Sequence, residues 1–368
     1  MPRPVQTDST PVTELFFALI RCGIGKEDRL PATPTPQEWQ ELFDIAKKQT
    51  LAGIAFAGIE AIPQEQRPQK EILLPWFHLS QVIRKKNAEL NSKSAAVSEK
   101  FRHEGFPNCI LKGQGIAQLY PDPYLRTPGD IDIWLDGGDD KILPYVKKYF
   151  PQCEPTYHHV DFPISGELDI EIHYRPSWMC NPFINKRLQK FFTDNAHKQF
   201  TNITETAEGE FPTPTNAFNR IYILLHIYRH LFFEGIGIRQ ILDYHFVMQQ
   251  EITEEEKTTY IKLLKDLGLY KFATATTYAM QRMFCPGDTN TPIPMNRKEG
   301  EFLISEILTA GNFGQHDTRY IATKRGINLA RIRDILKRSY IMLTHYHAET
   351  LWNNYFKTWH WFWRRKHK

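Results

Sequence analysis

The stretch Gly129-Asp130-Ile131-Asp132-Ile133-Trp134-Leu135 decides the fold. Ile131, Ile133 and Leu135 alternate with Asp130, Asp132 and Trp134, the period of a β-strand whose successive side chains point to opposite faces. The apolar set anchors a core, and the two aspartates project together from the other face. Carboxylates held that close on a rigid strand repel one another, and a cation between them relieves the repulsion. A hard divalent ion such as Mg²⁺ takes oxygen ligands and keeps waters that substrate phosphates can replace. Taken alone, the spacing fits equally well two solvated acids on the open face of an edge strand.

A second stretch tips the balance. Glu167-Leu168-Asp169-Ile170-Glu171-Ile172-His173-Tyr174 also alternates, with Asp169, Glu171 and His173 on one face and Leu168, Ile170 and Ile172 on the other. Laid beside the first strand, it brings in a third carboxylate. Three carboxylates can hold two metal ions that orient an attacking oxygen and a leaving pyrophosphate for displacement at phosphorus.

Just upstream, Asn108-Cys109-Ile110-Leu111 reads as a buried strand running into Lys112-Gly113-Gln114-Gly115 and a short helix over residues 116–120. Backbone N–H groups at such a strand-to-helix turn suit a phosphate, and Lys112 adds a cation. Glycines there also serve ordinary turns. The proline-stiffened loop 121–128 carries Arg126, expected on a phosphate, against the acidic pair, or simply exposed. Gly137-Gly138-Asp139 turns the chain into a helix over 140–149, and 157–162 reads as a strand. His158 and His159 are expected to face opposite ways there, one toward the site. Neither has a metal-ligand partner at helical spacing, so zinc is not expected.

The flanks read as helical. Residues 12 to about 105 carry helices over 14–22, 37–48, 51–62 and 73–101, whose apolar stripes suit packing rather than catalysis. Beyond Pro176 come a surface helix over 181–192 and a polar loop reaching residue 210. A strong helix then starts at 214–216, with Phe218, Ile221, Tyr222, Leu225 and Tyr228 at three- and four-residue steps. It carries His226 and His230 four apart, read as structural for want of an acid in register. The next helix, 238–249, sets Arg239 and Asp243 four apart, where they are expected to pair. Further helices cover 254–267, 271–284, 299–311, 326–339 and 341 to the end. The tail 352–368 interleaves Trp352, Phe356, Trp359, Trp361, Phe362 and Trp363 with Arg364, Arg365, Lys366 and Lys368. That composition suits a membrane surface, a nucleic-acid strand or a cap on the helical core, and the cap is favoured.

The chain has 368 residues, 41% of them hydrophobic, enough for two or three packed domains. A net charge of +4 does not identify a nucleic-acid binder, which typically shows a concentrated basic face. Five scattered cysteines without a C-x-x-C pair exclude a disulfide framework and fit a reducing compartment. The apolar run 15–20 is too short for a signal peptide or a membrane span. A cytoplasmic protein with no transmembrane segment is therefore expected.

The block from Lys112 to Leu135, together with Glu171-Ile172-His173-Tyr174, resembles the nucleotidyltransferase superfamily with the DNA-polymerase-β-type core. More narrowly, it resembles the bacterial group of uncharacterised nucleotidyltransferases. In that group a Lys-Gly, an Arg and an Asp-Ile-Asp precede a strand bearing Glu and His. The likeness continues at His226 and His230, at 239–243 and at Gly311-Asn312-Phe313-Gly314. The resemblance implies that Asp130, Asp132 and Glu171 are catalytic and bind metal, with Asp169 as the competing third acid. It implies Mg²⁺ or Mn²⁺ as cofactor and a nucleoside triphosphate, ATP being the expected one, near Lys112, Gly113, Gln114, Arg126 and His173. The superfamily's usual Gly-Ser is here Gly113-Gln114. The expected fold is α+β and predominantly helical: a small mixed-sheet core over 104–205 between helical domains at 1–103 and 206–368. The expected reaction moves a nucleoside monophosphate to an acceptor of unknown chemistry with release of pyrophosphate. The alternative is a catalytically silent nucleotide-binding or scaffolding module, and a nucleic-acid acceptor is the less favoured case.

Overall fold

A computed structural model describes residues 11–163, 169–288, 291–315, 317 and 329–367, without the side chains of 163, 169, 329–338, 366 and 367. Among the described residues it is an α+β fold in which helices dominate and a small mixed sheet carries the acidic strands. The N-terminal helices are α1 (Pro11–Gly23), α2 (Pro36–Lys48), α3 (Ala52–Ala61) and the long α4 (Lys70–His103). Thr35 opens α2 with a reciprocal capping box to Glu38, and Pro36 occupies the first turn, where no N–H is needed.

The sheet follows. Its strands are β1 (Asn108–Leu111), β2 (Ile131–Leu135), β3 (His159–Pro163) and β4 (Asp169–His173), in the order β1-β2-β4-β3. β2 runs parallel to β4 and pairs Asp132 with Glu171 and Trp134 with His173. β1 and β3 flank them antiparallel. A short helix, α5 (Gly113–Ala117), follows β1, and α6 (Gly138–Tyr149) links β2 to β3. The alternation read from the sequence divides the sheet as expected. Ile110, Ile131, Ile133, Leu135, Val160, Ile170 and Ile172 lie in one buried cluster with Val97 and Phe101 of α4 and Ile142 and Val146 of α6. The opposite face carries Asp132, Trp134, Glu171 and His173.

The segment after the sheet departs from expectation. The helix α7 (Pro182–Phe200) runs eight residues past the predicted end, and the predicted polar loop contains a hairpin, β5 (Ile203–Thr206) and β6 (Gly209–Pro212). Phe211 of β6 is buried in the cluster beneath the sheet. Helices α8 (Asn216–Phe233), α9 (Ile238–Met248), α10 (Glu254–Asp266), α11 (Tyr270–Phe284) and α12 (Arg297–Ala310) come next. The two predicted C-terminal helices meet at a kink in α13 (Leu329–His367), at Tyr346 (φ −136°, ψ 58°) rather than near residue 340. No helix among the described residues is long and apolar enough to cross a membrane.

Two features aim the site. α4 grips both sides of the acidic strand's approach: the Asn87 amide donates to the carbonyls of Tyr124 and Arg126, and Asn108 donates to the Ser98 carbonyl. α8 lies over the far end of the site face, where Trp134 stacks against Phe218 with ring centroids 5.9 Å apart. The near end of that face is left open.

Candidate active site

The open end is a cavity of about 510 Å³, within the range of small-molecule sites. Sheet residues floor it, α8 and α9 wall it, and Phe356 and His360 of α13 border it. Of the residues singled out in the sequence, Lys112, Gly113, Arg126, Asp130, Asp132, Glu171 and His173 all line this cavity. Asp169 starts β4, and its side chain lies outside the described residues.

Asp132 is buried, 2% exposed, and is held from two sides. Lys112 Nζ lies 2.7 Å from Oδ1, and His173 Nε2 lies 2.8 Å from the same oxygen. His173 Nε2 is also 3.3 Å from Glu171 Oε2. Ionised carboxylates only accept, so Nε2 carries the proton. Burial works against a charged His173, but Asp132 and Glu171 outweigh it and hold the ring up at about 9. Burial likewise opposes ionisation of Glu171, yet the His173 hydrogen bond and the His159 and Lys112 charges bring it down to about 2. The sequence cast the acids as a repelling pair that needs an external cation. In the folded chain the protein's own Lys112 and His173 neutralise much of that charge. Asp130, one residue before β2, is exposed at the mouth.

The turn after β1 is strained where the sequence placed its phosphate loop. Lys112 adopts φ 54°, ψ −134°, and Gly113 follows at φ 30°. Non-glycine residues in such regions cost about 1–3 kcal/mol and persist where the surroundings enforce them. The Asp132 pairing and the burial of β1 supply that enforcement here. Gln114 is not brought to the cavity: it is buried and donates from Nε2 to Asn91 Oδ1 at 2.6 Å, so it fastens α5 to α4.

Three further expectations change. Arg126 neither braces the acidic pair nor stands exposed. It is buried and forks onto Asp243, Nε to Oδ1 at 2.7 Å and Nη2 to Oδ2 at 2.8 Å. Tyr120 OH donates to the same carboxylate. Arg239 therefore does not take Asp243 as its hydrogen-bonded partner; its Nη1 donates to the Thr127 carbonyl. The i,i+4 rule lost because Arg126, from a loop fixed by α4, makes a bidentate fork. His158 and His159 both face the cavity, with His159 Nδ1 2.9 Å from His158 Nε2. Strand alternation does not separate them because His158 precedes β3. His226 and His230 also line the cavity, and His230 Nδ1 meets Glu234, an acid one turn on, at 2.8 Å.

Sequence reasoning missed Trp178, Arg229 and Tyr222 as lining residues. Their signal was weak: they sit in a loop and on a helix whose apolar stripe explained itself. The aromatic tail does cap, but it caps the site. Phe356 stacks on Trp178 with centroids 5.8 Å apart, and Tyr157 contacts both Phe356 and Trp359. Trp361 and Phe362 remain exposed.

No curated protein matches the chain. A model of the family described as uncharacterised nucleotidyltransferases matches residues 35–285, which include every strand of the sheet, the acidic pair, Glu171 and both cavity-lining helices α8 and α9. With about two thirds of its length matched, this chain belongs to the uncharacterised nucleotidyltransferase family.

Proposed function

We propose that the chain transfers a nucleoside monophosphate from a nucleoside triphosphate, ATP being the first to test, to an acceptor, releasing pyrophosphate. The observation that carries this reading is the parallel register that sets Asp132 beside Glu171 at the floor of the cavity, with Asp130 at its mouth. The donor set fits a divalent cation: Asp132 and Glu171 each offer a carboxylate oxygen within 4.8 Å of the other. Asp130, Asp132 and Glu171 would hold Mg²⁺ or Mn²⁺, with Asp169 as a further candidate. When bound, the ion would neutralise triphosphate charge and favour the departure of pyrophosphate. We propose residues 104–205 as the unit that carries this chemistry, between the helical segments 1–103 and 206–368.

The chain's own groups do the rest. Glu171, held ionised down to about pH 2, is a weak proton acceptor at neutral pH and serves as a fixed negative charge. Lys112 faces the Asp132 carboxylate and supplies positive charge beside the phosphates. His173 orients Asp132 through its Nε2 proton. Trp178, Phe356 and the walls from α8 narrow the cavity and exclude water, which strengthens every charge interaction inside it.

A second reading, a silent nucleotide-binding module, draws on the internal neutralisation of Asp132 by Lys112 and His173. One assay separates the two. ATP labelled at the α-phosphate, with Mg²⁺ and a fractionated cell extract as the acceptor pool, is expected to pass label to an extract component. Transfer is expected to fall at least 100-fold in Glu171→Gln. Nucleotide binding without label transfer at any fraction would favour the silent module.

A further inference from the structure

Three imidazoles meet at the β3 side of the cavity. Neither His158 nor His159 has a ligand partner at helical spacing in the sequence. The structure supplies the partner from the neighbouring strand: one nitrogen from each of His158, His159 and His173 lies within 4.8 Å of the others. Ring centroids of His173 lie 5.3 Å from both of its neighbours.

Each ring also has an oxygen that can hold one of its nitrogens. Thr156 Oγ1 donates to the His159 carbonyl, so it is free to accept from His158 Nδ1 at 3.1 Å. That fixes the tautomer and leaves the His158 Nε2 lone pair open. His159 Nε2 lies 3.9 Å from Asp161 Oδ1, so a proton there has a carboxylate to face, while Nδ1 sits 2.9 Å from His158 Nε2 and 3.4 Å from Glu171 Oε2. His173 Nε2 donates to Asp132 and Glu171, and its Nδ1 is buried without a hydrogen-bond partner. An oxygen beside one nitrogen of each ring is the arrangement that orients histidine ligands around a metal. The unpartnered Nδ1 is the independent sign, since a buried polar atom left alone is costly in a finished structure.

We propose that His158, His159 and His173 form a second cation site, for a borderline transition-metal dication such as Zn²⁺ or Co²⁺. Imidazole donors suit such ions, whereas Mg²⁺ takes oxygen. Three protein ligands leave a fourth position open toward the cavity. Binding moves the proton between His158 and His159 onto His159 Nε2, beside Asp161, and releases the His173 Nδ1 proton to solvent, because the carboxylates at Nε2 keep that ring charged near neutral pH. The site goes beyond nucleotidyl transfer and stands whether or not transfer occurs.

The test uses the full chain and Co²⁺ alone. The wild type is expected to bind one equivalent with an intense visible absorption band, the mark of low coordination by nitrogen, and Zn²⁺ is expected to displace it. His158→Ala and His159→Gln are each expected to weaken Co²⁺ binding at least 100-fold while circular dichroism shows the fold retained. Glu171→Gln, one shell out, is expected to weaken it about 10- to 100-fold. A wild type that gives no such band, or variants that bind Co²⁺ as tightly as the wild type, would overturn the site. Wild-type data alone decide the matter should a variant fail to fold. Mn²⁺–nucleotide binding measured on the same preparation reports separately on the transferase reading.

Discussion

At the scale of single residues, Asp132 is the most tightly held group of the site, with Lys112 Nζ and His173 Nε2 both on its Oδ1. Alternation placed Asp132, Glu171 and His173 together and Ile131, Ile133 and Ile170 in the core, because strand geometry is local. That Lys112 and His173 would clasp Asp132 depends on how β1, β2 and β4 stack, which no local pattern reports. The consequence is testable. Asp132→Asn relieves no repulsion; it leaves Lys112 and His173 without their shared carboxylate, so it is expected to lower stability as well as activity. Glu171→Gln, at a partly exposed site, is expected to be the milder change, and chemical denaturation of both variants ranks them. A second residue-scale prediction concerns His245 of α9, which is buried against Phe246 and Phe284, with Nε2 unpartnered. Burial, then the charge of Lys26, lowers it to about 4. The folded state thus disfavours the charged ring. The stability held by its neutral form is intact above the ordinary value near 6.5 and is lost as pH falls toward 4, by about 3 kcal/mol in all. His245→Leu is expected to flatten that part of the stability-against-pH curve, measured by urea unfolding between pH 7 and 4. An unchanged slope would contradict the assignment.

At the scale of elements, helices with strong three- and four-residue periodicity were found within a few residues. The β5–β6 hairpin was not: Glu205, Thr206, Glu208, Gly209 and Glu210 read as loop. Its buried Phe211 reaches the cluster beneath the sheet, a tertiary fact. The loop before β2 shows how elements aim the site. Gly53 of α3 runs against the carbonyl of Leu125: a Cβ there would come within 2.2 Å of that oxygen. Gly53→Ala would gain helix propensity of about 1 kcal/mol, yet the clash with backbone is expected to dominate. A net loss of about 1–3 kcal/mol and a lower melting temperature follow. One residue on, Arg126 and Asp243 form a buried fork between that loop and α9. Arg126→Ala strands a buried carboxylate and is expected to cost about 3–5 kcal/mol, whereas the double change Arg126→Met with Asp243→Leu is expected to cost much less. Urea denaturation of both decides it, and equal losses would argue that the fork adds nothing beyond packing.

At the scale of the whole molecule, the predominance of helix around a small sheet was legible from periodicity alone, whereas the packing of sequence-distant helices was not. α1 lies against α11, where Arg282 pairs with Glu14 and Arg21 Nη1 donates to the Met283 carbonyl. Gln49, at the end of α2, bonds both Ile307 and Ile238. The tail read as a core cap instead borders the cavity, since Phe356 is buried there with Trp178 beside it. The tail's closure borders the one site, and the central claim is that its carboxylates hold a metal-bound nucleotide. Electron paramagnetic resonance of Mn²⁺ in the presence of ATP tests this most directly. Adding wild-type protein is expected to deplete the free-ion signal to about one bound Mn²⁺–ATP per chain, with affinity at least tenfold weaker in Glu171→Gln. Equal binding by the two proteins, or no binding by the wild type, would contradict the account.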